Sequence, residues 1–247
     1  MVFYGRRLTE AIEVLKQSKI SIMLANKGPL IYYRRTGGFP EGPVEKALGL
    51  SSLDDLVICP VHSVQPEVST YLLLRLRTPF IIPPRSTATI YLKAPVAAGV
   101  YVTANGEQRL VDYFGPSVFK YALYGPPAVG QVCRFYITDI FSEVPEAGPW
   151  EAVTKVVVEN TSDNYVEIRN VIYPIVYAQF YIDNMGNAYL ETSKLSITSS
   201  NVGVVELRNE PPISGLPTCL KTEGGLPLPF LKPAGEKIAK FLMEFGL

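Results

Sequence analysis

Apolar and polar residues alternate with period two along most of the chain between about residues 70 and 208. In YLLLRLRTPF, Leu72, Leu74 and Leu76 fall on one face and Leu73, Arg75 and Arg77 on the other, as in a half-buried strand. TATIYLKAPV repeats the pattern, with Ile90 and Leu92 opposed to Tyr91 and Lys93. YVTANGEQRLV places Asn105-Gly106 between two such arms, and Asn-Gly supplies the positive φ angles of a tight hairpin. Three further hairpins are expected: KVVVENTSDNYVEIRNVIYP turning at Thr161 to Asn164, VYAQFYIDNMGNAYLET at Asp183 to Asn187, and KLSITSSNVGVVELRN at Ser199 to Asn201. Short strands at this spacing predict a mainly β, antiparallel, sandwich-like fold.

Proline and glycine divide that pattern. Pro83-Pro84, Pro126-Pro127 and Pro211-Pro212 cannot donate to a sheet ladder, so they should mark strand entries and crossovers. IFSEVPEAGPW, ending at Trp150, has two prolines, a glycine and no periodicity. It predicts a linker at about 143–150 between an N-terminal sandwich-like domain (1–142) and a C-terminal β-domain (151–247). Helices are few. PVEKALGL suits one short helix, with Pro43 in its first turn and Gly49 at its end. AGEKIAKFLMEFGL spaces Ile238, Phe241, Leu242 and Phe245 as the apolar stripe of a C-terminal amphipathic helix. A helix of that length is marginal alone, so it should dock on the body, on a protein partner or on a second copy. Residues 8–17, LTEAIEVLKQ, fit helix and strand equally.

Charge and cysteine content narrow the functional classes. The 23 basic and 23 acidic residues cancel, which disfavours nucleic acid, since phosphate neutralisation dominates such binding. No run of about 18 apolar residues spans a bilayer, and no apolar run follows the arginines of MVFYGRRLTE, so a cytoplasmic location is expected. Cys59, Cys133 and Cys219 form no CxxC pair. A single disulfide is compatible with them, but free buried thiols are the expectation in a reducing cytosol.

One block carries a resemblance. KYALYGPP followed by Gly130 and Cys133-Arg134-Phe135-Tyr136, with LIYYRR upstream and PFIIPPRSTATIYLKAPVAAGV between, resembles an archaeal family, domain of unknown function 432. The likeness runs from Tyr32 to Pro174, and VVVENTSDNYVEIRNVIYP resembles the family's next hairpin. It implies an archaeal, thermophilic source and transfers no activity. Where the family pattern has an acidic residue after the proline of APVAAGV, this chain has Ala97.

Candidate chemistry is sparse. His62 is the only histidine, and its extended loop points it away from Cys59, so it reads as structural. With one histidine and no clustered carboxylates, neither a metal nor another cofactor is expected. No phosphate-binding glycine motif follows a strand, although Arg34 and Arg35 in RRTGG could cradle an anion if the segment is more than a solvated turn. Tyr121 and Tyr124 flank the rigid Gly125-Pro126-Pro127 corner. Arg134 should lie opposite a core face of Cys133, Phe135 and Ile137, paired with Asp112 or Glu143 or stacked on a tyrosine. Arg34, Arg35, Tyr121, Tyr124 and Arg134 are therefore the candidate binding residues. The expected function is a non-enzymatic binding or assembly module working through protein contacts. The alternatives are a ligand- or carbohydrate-binding sandwich and a hydrolase built on paired carboxylates.

Overall fold

A computed structural model describes residues 4–5, 7–8, 19–50, 56–63, 68–104, 107–116, 118–175, 178–199, 202–219 and 240–244. Its strands are β1 (Ser21–Lys27), β2 (Leu30–Thr36), β3 (Val44–Leu48), β4 (Leu56–His62), β5 (Leu72–Ile82), β6 (Ser86–Ala104), β7 (Glu107–Phe114) and β8 (Tyr121–Tyr124). They continue as β9 (Gln131–Thr138), β10 (Glu151–Asn160), β11 (Val166–Tyr173), β12 (Phe180–Ile182), β13 (Ala188–Leu190), β14 (Ser193–Ile197), β15 (Val202–Leu207) and β16 (Lys240–Glu244). Among the described residues no α-helix occurs, so the mainly β class is as the alternation predicts.

Three sheets form. β1, β2 and β3 make an antiparallel meander. β11-β5-β9-β8 make a four-stranded sheet in which β5 and β9 run parallel. The remaining nine strands form one sheet, built around β6 and β10. There β10 pairs in parallel with β13 and β14. Most pairings are antiparallel, as expected, and the three parallel ones make two of the sheets mixed. A single main core joins Leu74, Leu76, Leu92, Val156, Ile168 and Leu195, all nearly or fully inaccessible. Each contributes about 1.5–3 kcal/mol by leaving water.

Several expected elements differ. Val44–Leu48 is a strand, not a helix: its backbone pairs with β2, setting Glu45 opposite Arg34. Lys240–Glu244, inside the expected C-terminal helix, is the edge strand β16 on β15. Apolar residues at Phe241 and Met243 suit a strand as well as Phe241 and Leu242 suit a helix, and the ladder to β15 decides. The rest of that helix, and residues 9–17, lie outside the described residues. The turn at Thr161 to Asn164 does not close a hairpin. β10 pairs with β6 and β11 with β5, so the chain passes there between two sheets. Asn160 holds the crossing by donating Nδ2 to the carbonyls of Pro83 and Asn164, each at 2.8 Å. The other hairpins form: β6–β7 about 105–106, β12–β13 about Asp183 to Asn187, and β14–β15. Residues on both sides of 143–150 share a sheet, with Ser86–Pro95 of β6 paired to Glu151–Asn160 of β10.

Two features of β6 place the site. It runs 19 residues. Its first half pairs with β10, and its second half is flanked by β4 and β7. The handover falls at Pro95, which has no N–H to donate. Close to it β10 begins (Glu151 opposite Pro95), β4 ends (His62 opposite Val96) and β7 ends (Phe114 opposite Ala98). Three strand ends meeting at one place leave a gap in the layer, and a cleft opens there.

Cys59 and Cys219 are joined in a disulfide, contrary to the expectation of free thiols, whereas Cys133 is free and buried. Burial pushes the Cys133 thiol up to about 12, which keeps it protonated and unreactive. His62 is structural. It is 6% exposed, its Nε2 lies 3.1 Å from the Ala178 carbonyl, and its ring packs 4.6 Å from that of Phe180. Burial lowers its pKa from 6.5 to about 4. Between those values the unfolded chain binds a proton that the folded chain refuses, so stability rises with pH. We expect up to about 3 kcal/mol to be lost as pH falls from 6.5 towards 4. His62→Gln should flatten that part of the profile, as read from urea midpoints across the same window. A wild-type profile matching the variant's would contradict this.

Candidate functional site

The cleft at the β6 handover has a volume of about 370 Å³. Pro95 and Val96 of β6 line it, with Ser63 just past β4, Pro116 and Phe119 past β7, Arg134 and Tyr136 of β9, and the Gly148–Glu151 run entering β10. Its wall is fixed from behind. The Val96 amide donates to the Trp150 carbonyl at 3.0 Å, and Tyr4 donates its hydroxyl to the Pro149 carbonyl at 3.0 Å. Phe114 meets the Trp150 ring edge-on at 6.2 Å.

Two charged groups line this space, Glu151 and Arg134, in different states of satisfaction. Glu151 is committed. Tyr136 donates to its Oε1 at 2.7 Å, the Gly148 amide donates to Oε2 at 3.0 Å, and the Lys93 ammonium lies 3.2 Å from Oε2. Burial alone would raise the Glu151 pKa; the Gly148 amide, Tyr136 and Lys93 outweigh it and hold the carboxyl below its ordinary value. Burial, with the Glu151 bond next, raises the Tyr136 phenol well above its ordinary value. Arg134 is 8% exposed and bonds only to main-chain oxygens: Nε to Ser63 at 2.8 Å, Nη1 to Lys120 at 3.0 Å and Nη1 to Phe135. Its guanidinium carbon sits 5.3 Å from the Phe119 ring centroid, a cation–π contact. Burial lowers its pKa, and nearby Tyr121 and Tyr136 oppose the shift, yet a guanidinium stays charged. Among the described residues Arg134 has no carboxylate partner.

A family model described as Protein of unknown function (DUF432) matches residues 3–226. The chain belongs to that family. The match reaches well beyond the stretch from Tyr32 to Pro174 on which the resemblance was read. Among curated proteins and among solved structures, nothing matches the chain. Ala97, where an acidic residue was expected from the DUF432 pattern, is fully buried beside Cys59, Val61, Tyr101 and Phe119. An acid there would be an uncompensated charge in an apolar cluster.

The structure separates the five residues singled out from sequence. Arg34 is exposed on the outer face of β2 and pairs with Glu45 at 3.1 Å, a surface pair worth little. Together with Tyr32 and Met23 it lines a second depression of about 370 Å³. Arg35 points the other way into the core, where its Nε bonds Asp112 at 2.7 Å and its Nη1 bonds the Gly37 carbonyl. RRTGG thus carries the end of β2, with one arginine on each face, into a bend at Gly37 and Gly38. A Cβ on Gly37 (φ +77°) would meet the Lys19 carbonyl oxygen at 2.0 Å. Tyr124 is buried in the main core, and Tyr121 is half-buried opposite Arg134 across β8 and β9. The Gly-Pro-Pro segment is a corner: Gly125 has φ +97°, and the Val129 and Gly130 amides donate to the Pro126 carbonyl.

Arg134 alone reaches the cleft, and in a setting other than the one expected. Ile137, assigned to the core face, is 46% exposed, whereas Arg134 and Thr138 of the alternate face are buried. Asp112 is taken by Arg35, and Arg134 stacks on a phenylalanine rather than a tyrosine. Sequence reading missed Phe119, Tyr136, Trp150 and Glu151. One signal was available: the chain's single tryptophan stands directly after Gly148-Pro149. Among the described residues no cluster of three metal-ligating side chains occurs, and no helix is long and apolar enough to cross a membrane.

Proposed function

We propose that this protein is a binding protein whose β-sandwich holds a small ligand in the cleft beside Trp150. The observation that carries this reading is the cleft itself: largely apolar walls of Pro95, Val96, Pro116, Phe119 and Trp150, with Arg134, Tyr136 and Glu151 converging among them. Clefts of this size and make-up are the usual form of small-molecule sites. The state of the polar groups favours binding over proton transfer. A general acid or base works best with a pKa near the working pH. Glu151 is held ionised and Tyr136 protonated. The two clefts described carry one carboxylate each, Glu151 and Glu45, which gives no support to a paired-carboxylate hydrolase.

Because Trp150 is the only tryptophan, its emission reports on the cleft. A panel of small metabolites, screened by Trp150 fluorescence and thermal shift, should contain members that change the emission saturably and raise the melting temperature. If no member does either, the reading fails. A protein partner remains a second reading, carried by β16. Among the described residues that strand pairs only with β15, and Leu242 is 59% exposed, so its outer edge suits strand addition. Deleting residues 240–247 should then change oligomeric state or partner capture with the fold intact, as read by light scattering and circular dichroism.

A further inference from the structure

We infer that the cleft takes a small organic anion, its carboxylate or phosphate seated on Arg134 and its apolar body against Trp150 and Phe119; this rests on the ligand-binding reading above. The charge ledger of the cleft points to it. Both oxygens of Glu151 are engaged by Tyr136, Gly148 and Lys93, so the carboxylate and the ammonium cancel within the protein. What is left over is the positive charge of Arg134.

The guanidinium has capacity to spare. Nε and Nη1 are spent on the carbonyls of Ser63, Lys120 and Phe135. Nη2 has no acceptor among the described residues. It is nevertheless absent from the buried polar atoms without a partner, which among the described residues are Tyr101 Oη and Thr192 Oγ1. Nη2 therefore reaches solvent, and Arg134 is part of the cleft lining. A buried cation matched by carbonyl dipoles and one aromatic ring, with no carboxylate among the described residues, is incompletely compensated. An oxyanion meeting Nη2 would supply the charge-assisted bond that is missing. The rest of the lining selects against a bare inorganic ion. Pro95, Pro116 and Pro149 present no N–H, and Phe119 and Trp150 add apolar aromatic surface to the lining, which suits an apolar body.

The rival account makes Arg134 a clip that gathers three carbonyls and nothing more. The test is a titration of the full chain, followed by Trp150 fluorescence and calorimetry, with five probes: the isosteric pair phenylacetate and phenylacetamide, then phenyl phosphate, benzylamine and inorganic phosphate. Phenylacetate or phenyl phosphate should bind saturably and at least about tenfold more tightly than phenylacetamide. The tighter of the two identifies the preferred headgroup. Inorganic phosphate should bind more weakly than phenyl phosphate, and benzylamine should not bind. Arg134→Gln should erase the preference for anion over amide, and Arg134→Lys should keep part of it. The wild-type comparison needs no variant, so loss of the clip in Arg134→Gln does not obscure the result. Equal binding of phenylacetate and phenylacetamide to the wild type overturns the anion assignment and leaves a ligand cleft standing. Silence from every probe here and from the metabolite panel overturns both.

Discussion

Removing the Cys59–Cys219 disulfide is expected to cost this chain several kcal/mol, about 2 to 5. The bond joins β4 to the segment after β15, 160 residues away in sequence. Closing a loop of that length restricts the unfolded ensemble by about 5 kcal/mol in the chain-entropy picture, and measured losses for native disulfides run from about 2 to 5. Folded-state contacts around the bond are modest. The Cys219 amide donates to the Phe180 carbonyl at 3.4 Å, and Thr218 bridges Tyr181. The Ile182 amide also donates to the Pro217 carbonyl at 3.0 Å, but among the described residues few hydrogen bonds hold that segment, so most of the entropic gain should return to the unfolded state. Cys59→Ser should lower the melting temperature by on the order of 10 °C in a chain of this length. Two measurements check it. Thermal melts of wild type with and without reductant should reproduce the difference. Thiol counting in denaturant should find one reactive group, Cys133, before reduction and three after. Three thiols without reductant would show that the bond is not part of the native protein.

The amount of this architecture legible in the sequence depended on whether one strand or a relation between strands was at issue. Leu72, Leu74 and Leu76, and likewise Ile90 and Leu92, are buried as period-two alternation requires, because a side chain's face is a local property. Which strand lies alongside is not local. The arms about Thr161 to Asn164 alternate just as a hairpin's would, yet they enter different sheets. What distinguishes them is the placement of β5 and β6, set by contacts some 80 residues away. Short apolar runs were ambiguous for a related reason. Val44–Leu48 and Lys240–Glu244 fit either period over five residues, and the open edges of β2 and β15 settle them as strands.

The site was legible only in fragments for the same reason. Arg134 stood out, but the alternation around it could not say which face of β9 is covered. Both are: Cys133 is fully buried on one and Arg134 on the other. Its surroundings come from four separate stretches, near residues 63, 95, 119 and 150, brought together where three strands end beside Pro95. Asp112 was named as a partner for the wrong arginine. The pairing with Arg35 depends on the β1–β3 meander packing over β7, a tertiary contact that no spacing in LIYYRR or VDYF encodes.

That pairing supports the second large effect. Arg35 is 1% exposed and Asp112 8%. Asp112 Oδ2 accepts from Arg35 Nε and from Tyr33 Oη, each at 2.7 Å, and the Arg35 guanidinium lies over Phe114 at 5.4 Å. Asp112→Ala strands a guanidinium in the interior and takes the acceptor from a buried phenol. The expected loss is about 3–5 kcal/mol, most of it the cost of an unmatched buried charge rather than the worth of the pair. Replacing both partners with apolar residues, Arg35→Met with Asp112→Leu, should therefore recover much of that loss although it removes the same ion pair. Urea unfolding of the single and double variants measures the difference. A double variant as unstable as Asp112→Ala would mean that the pair contributes through geometry that apolar packing cannot replace. The effect should also reach the cleft. The Arg35 guanidinium lies over Phe114, and Phe114 meets Trp150 edge-on. Loss of the Asp112 charge should then shift Trp150 emission in the folded protein with no ligand present. An emission spectrum unchanged in Asp112→Ala, in conditions where it stays folded, would place the ion pair outside the support of the cleft and leave it a stabiliser of the meander alone.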